Sequence, residues 1–224
     1  MNRRWLGCLL GLFCATTVGY TVSIVAATPE EMLRRPFSCP TSSNTEAQDF
    51  QVLTVRKWAQ GMVALYRGQC LASSTMGQSN KSLLSYRVVK RNGMEWYLSS
   101  TGSYPSRTSE KSKESSEKKL IEYSVGRNSP KAKERHAVFY GEVLSPNVAA
   151  VEVTFNNGKV LRDTGLDGML LLVASGATGV CDVRVLGVDN QILQRDELAA
   201  SSPLTPESAV NVEGNTCQPI SGQL

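Results

Sequence analysis

Two Asn-Gly dipeptides, Asn92-Gly93 and Asn157-Gly158, each stand between short runs rich in apolar and aromatic residues. No other feature constrains the chain as strongly. A tight hairpin turn needs positive φ at its central residues, which Asn and Gly tolerate, and its twist suits two antiparallel strands. Residues 83–90 and 94–99 flank the first dipeptide, and Trp96 and Leu98 point to one face while Tyr97 points to the other. Upstream, Val52, Thr54 and Arg56 alternate with Leu53, Val55 and Lys57, and residues 62–71 are apolar and aromatic. Residues 50–102 therefore read as an antiparallel meander.

The second block, residues 120–195, follows the same grammar. Residues 137–144 form a strand, and Val151, Val153 and Phe155 face away from Glu152 and Thr154 before Asn157-Gly158 turns the chain into residues 159–162. Residues 169–173 are continuously apolar, as in a strand covered on both sides. Cys181, Val183 and Val185 share a face, and Asp189-Asn190 turns the chain into residues 191–193. Short strands at this spacing suggest an immunoglobulin-like β-sandwich. The expected fold is mostly β: a meander followed by a sandwich block, the two packing separately or as one unit. Between them residues 103–119 are rich in Ser, Lys and Glu and too poor in apolar side chains to offset their ordering entropy, so they read as a linker. Residues 28–49 read as an irregular lead-in, and residues 196–224 as an irregular tail tethered by Cys217.

Residues 1–27 carry a targeting pattern. Arg3 and Arg4 precede a run without charge that lasts until Glu30, and Val25, Ala26 and Ala27 offer a small-residue cleavage site before Thr28. The segment is either a cleaved signal peptide or a retained N-terminal anchor, and in both cases the rest of the chain is exported. Neither Cys8 nor Cys14 has the context of a lipidation site. Net charge is +4, and without Arg3 and Arg4 the chain carries 22 basic against 20 acidic residues. That balance gives no ground for nucleic-acid binding, and membrane contact is expected only through the N-terminal segment.

Four cysteines remain beyond this segment: Cys39, Cys70, Cys181 and Cys217. An even number in an exported chain reads as two disulfides, and the spacings are too wide for zinc knuckles. Three connectivities are open. Cys39–Cys70 with Cys181–Cys217 would tie the lead-in and the tail each onto a strand; the main rival, Cys70–Cys181, would staple the two blocks together.

The second block resembles a strand-turn pattern found in uncharacterised exported bacterial β proteins. The matching residues are Gly141-Glu142-Val143, Ser145-Pro146-Asn147-Val148 and the run from Val151 through Glu152, Val153, Thr154 and Phe155 to Asn156-Asn157-Gly158. Leu161-Arg162-Asp163 and Asp167-Gly168-Met169 continue it. Leu65-Tyr66-Arg67 through Cys70, with Trp96, is similar to the companion block that usually precedes it. The resemblance implies an arrangement of strands and no activity.

Chemistry-bearing motifs are sparse. His136 is the only histidine, placed after the basic residues 131–135 at the start of a strand. A catalytic histidine needs a nucleophile and an orienting carboxylate, and no local motif supplies either, so it reads as a partly exposed strand-start residue. Ser115 and Ser116 precede Lys118 and Lys119 by three residues, but a Ser/Lys/Glu linker produces that Ser-x-x-Lys match by composition. Gly176-Ala177-Thr178-Gly179 lies between two strands without the following helix of a phosphate loop, so it reads as a turn. Asp163 and Asp167 offer oxygens but no full cage for Ca²⁺. No catalytic, cofactor or metal residues are assigned. Residues 107–135 are basic with interleaved acids and read first as a solvated linker, second as a contact for an anionic polymer. Trp58, Trp96 and Tyr97 are either core residues or a recognition surface.

These readings favour a non-enzymatic exported envelope protein that binds or braces an envelope protein or anionic wall polymer, in a periplasmic, cell-surface or extracellular setting. The alternative is a hydrolase of cell-wall or extracellular polymer, which would need Asp163, Asp167 or Glu152 to converge in a cleft.

Overall fold

The computed structural model describes residues 28–35, 39, 47–72, 79–93, 95–106, 119–129, 132–165, 167–198 and 217. Among these residues one short helix, α1 (Pro29–Arg34), precedes eleven strands: β1 (Gln48–Trp58), β2 (Gly61–Ala72), β3 (Ser79–Asn92), β4 (Glu95–Pro105), β5 (Ile121–Arg127), β6 (His136–Val143), β7 (Ala150–Phe155), β8 (Val160–Asp163), β9 (Met169–Ser175), β10 (Val180–Leu186) and β11 (Ile192–Glu197). The fold is mostly β and antiparallel. The first block is a meander in the order β1-β2-β3-β4. The second is a two-sheet sandwich, β5-β6-β9 against β11-β10-β7-β8. Its strand order fits an immunoglobulin-like arrangement in which the fourth strand pairs with the third.

The two blocks pack face to face. Val63, Leu65, Leu84, Tyr86 and Val88 of the meander meet Val138, Tyr140 and Leu171 of the sandwich in one buried cluster. Each such side chain contributes roughly 1.5–3 kcal/mol relative to its exposed state. The opposite face of β6 and β9 carries Ala137, Phe139, Leu170, Leu172 and Ala174 into a second core with Val151, Val153, Phe155, Val183 and Val185. The sheet β5-β6-β9 is thus a middle layer, which is why residues 169–173 are apolar without alternation. Ion pairs also join the two blocks: Arg56 of β1 with the buried Asp163 at the end of β8, and Arg67 of β2 with the buried Glu142 of β6. Ser106 Oγ also donates to Glu142 at 3.0 Å. Burying those carboxylates without partners would cost several kcal/mol, so the partners are part of the packing.

On the outer face of the meander pack residues 28–35 together with Cys39 and Ala47. Thr28 Oγ1 accepts from Glu31 N and Glu31 Oε2 accepts from Thr28 N, a capping box that starts α1 with Pro29 in its first turn. Leu33 and Met32 then pack on Met62, Ala64, Tyr66 and Val89. Arg87 donates to the carbonyls of Met32 and Arg35 at 2.7 and 2.8 Å, closing the helix end. Cys39 and Cys70 are bonded with Cα atoms 5.7 Å apart, and Cys181 and Cys217 with Cα atoms 5.5 Å apart.

Several local expectations are corrected. β4 runs on through Ser103 and Tyr104 to Pro105, past Gly102, because residues 103–105 pair with residues 83–85. Register shifts in β1 break the simple alternation of residues 52–57, so that Leu53 and Trp58 join the cluster facing the sandwich while Val52 and Val55 lie exposed. A shift between Val180 and Asp182 likewise puts Val180, rather than Cys181, in the core with Val183 and Val185. Cys181 is still buried.

Candidate functional site

The β1–β2 and β3–β4 turns of the meander lie at the same end of its sheet. Ala59 and Gln60 link β1 to β2, and Gly93, with φ of 61°, turns β3 toward β4. Arg91 N donates to Gln60 O at 3.3 Å, holding the two turns together. A Cβ at Gly61 would overlap the Val89 carbonyl, so this close approach needs glycine. An open cleft of about 710 Å³ lies over these turns. Trp58, Met62 and Trp96 supply its apolar lining, Gln60 a side-chain amide, Lys57 and Arg91 positive charge, and Glu30 and Glu134 negative charge. Pro29 and Glu30 reach it because α1 is capped and seated on the sheet, and Glu134 because the loop before β6 is tied down. Lys90 Nζ meets Glu134 Oε2 at 3.3 Å, and Asn128 Nδ2 donates to the Glu134 carbonyl at 2.7 Å.

Trp58 is held from inside. The fully buried Lys90 ammonium sits 5.3 Å from its ring centroid, and the His136 ring lies 5.8 Å away. Its Nε1 and the Gln60 Oε1 are buried and find no hydrogen-bond partner among the described residues. Each such orphan costs about 1–3 kcal/mol, and both belong to residues lining the cleft.

His136 is fully buried, not partly exposed, because β6 carries it between the meander and the sandwich. Its Nε2 lies 2.7 Å from Ser100 Oγ on β4, so the fold supplies the hydroxyl that sequence motifs did not. Its Nδ1 has no partner among the described residues, hence no orienting carboxylate, and neither side chain lines the cleft. Burial first, and the Lys90 ammonium second, push its pKa down to about 4. The neutral imidazole and its serine partner are thus packed in the interface between the two blocks. The same interface raises the pKa of Tyr140 to about 12, chiefly by burial.

The other sequence candidates are also placed. Asp163 and Asp167 both meet Arg56, and Asp163 further accepts from Leu171 N at 2.8 Å and Gly165 N at 3.1 Å. Glu152 is on β7 with Arg162 and Arg184, so the three carboxylates do not share a cleft. Among the described residues no cluster of three or more potential metal ligands occurs. Thr178 N and Gly179 N both donate to Asn156 Oδ1, so the glycine turn spends these amides inside the fold. Trp58 and Trp96 come together at the cleft while Tyr97 lies exposed and outside it. Ser115, Ser116 and Lys118 lie outside the described residues. Sequence reading missed Glu30, Gln60, Arg91 and Glu134, which are dispersed along the chain and carry no motif.

No protein-family model, curated protein or solved structure matches this chain.

Proposed function

We propose that this is an exported, non-enzymatic envelope module that binds its partner through the cleft at the hairpin end of the meander. The observation that carries the reading is the convergence of Trp58 and Trp96 with charged and amide groups on one concave surface. Partly apolar, aromatic clefts with a few polar groups are the usual form of a binding site. Export is supported by the N-terminal targeting pattern and by the two disulfides, which persist in oxidising compartments. A non-enzymatic role is supported by the fate of the chemistry-bearing groups: His136 and Ser100 are sealed, and Asp163 is committed to Arg56. The resemblance to exported bacterial β proteins is in keeping with this role.

Capture from envelope fractions by the immobilised mature chain tests the reading. Lys57→Glu with Arg91→Glu alters two exposed lining residues without touching a core. The wild type is expected to retain a partner that the double variant loses. Equal capture by both, or a turnover activity of the wild type abolished by a point mutation, would overturn it.

A further inference from the structure

We infer that the ligand of this cleft is an uncharged saccharide, a stretch of glycan strand laid across the hairpin turns; this rests on the binding reading above. A sugar ring offers an apolar C–H face together with hydroxyls that donate and accept at once, and the cleft offers matching groups. Trp58 and Trp96 present indole surface, and one side of the Trp58 ring is already backed by Lys90. Around them stand donors on Lys57 and Arg91, acceptors on Glu30 and Glu134, and both on the Gln60 amide.

Two other ligand classes fit less well. The lining charges are two positive and two negative, so a polyanion drawn to Lys57 and Arg91 also meets Glu30 and Glu134. A peptide recognised by strand addition needs a free strand edge, whereas this cleft sits over turns whose backbone is engaged, as in Arg91 N to Gln60 O. Recognition therefore falls to side chains. The Gln60 side chain adds to this: it lines the cleft, and its Oε1 has no hydrogen-bond partner among the described residues.

Chitotetraose and cellotetraose titrated into the mature chain, followed by tryptophan fluorescence and calorimetry, test the inference, with dextran sulfate as the polyanion probe. Saturable binding of at least one tetrasaccharide is expected, little changed by added salt. Gln60→Ala should weaken it by roughly 3–10-fold, the value of one neutral hydrogen bond, while Tyr97→Ala leaves it unchanged. No binding of either tetrasaccharide to protein with both disulfides formed overturns the inference, as does binding of dextran sulfate alone. If tetrasaccharides fail while the Lys57→Glu, Arg91→Glu variant still loses an envelope partner, the saccharide falls and the binding cleft stands. If that variant loses nothing, both fall.

Discussion

Lowering the pH should loosen the interface between the meander and the sandwich through a single group, His136. Its imidazole is completely buried, with Ser100 on Nε2, the Trp58 ring beside it and the Lys90 ammonium near. Glu134, paired with Lys90, is the acidic side chain of that neighbourhood, and it is exposed. Burial, and then Lys90, lower the histidine pKa from 6.5 to about 4. In the unfolded chain the ring takes up its proton near 6.5, so between pH 6.5 and 4 the unfolded state binds more protons than the folded one. His136 therefore costs no stability above pH 6.5, and its contribution falls progressively down to about pH 4 and is level below. At roughly 1.36 kcal/mol per pH unit the loss is about 3 kcal/mol, a large fraction of a typical domain's stability. Because His136 is the only histidine, one ¹H–¹³C correlation of its ring reports the titration without ambiguity. The expected midpoint is near 4, and the unfolding free energy of the wild type should drop from pH 6.5 to 4 relative to His136→Gln. A midpoint at 6 or above, or parallel stability profiles, would refute the sealed interface.

Other expectations follow from packing and cross-links. In Gly126→Ala the new methyl would overlap the Tyr86 ring at the interlayer cluster, and overpacking of this kind costs about 1–3 kcal/mol in chemical denaturation; an unchanged midpoint would mean the layers pack less closely. Replacing both Cys39 and Cys70 by Ser opens a loop of 31 residues and should lower stability by roughly 3–4 kcal/mol in the chain-entropy model. Non-reducing peptide mapping should give Cys39–Cys70 and Cys181–Cys217 peptides, whereas a Cys70–Cys181 peptide would contradict the fold.

Features with a short sequence period were legible. The Asn-Gly turns and alternating runs around them announce hairpins because both signals lie within a few residues, and the apolar run at 169–173 announces a strand covered on both faces. The helix α1 escaped because six residues show no periodicity, although Thr28 and Glu31 spell its capping box. Burial of His136 was masked by the basic residues just before it, since the meander that covers it is distant in sequence. Bulges such as those at Leu53 and Cys181 have no composition of their own, so alternation assigned some faces wrongly. The cleft was least legible. Its residues come from α1, two hairpins and the loop before β6, and only the stacking of the layers brings them together.

Hydrogen exchange on residues 28–224, alone and with a solubilised envelope fraction, locates the proposed binding surface most directly. The proposed cleft requires added protection in residues 57–62 and 91–96, with the outer sheet β11-β10-β7-β8 unchanged. Protection confined to that outer sheet, with the hairpin turns exchanging as before, would contradict it.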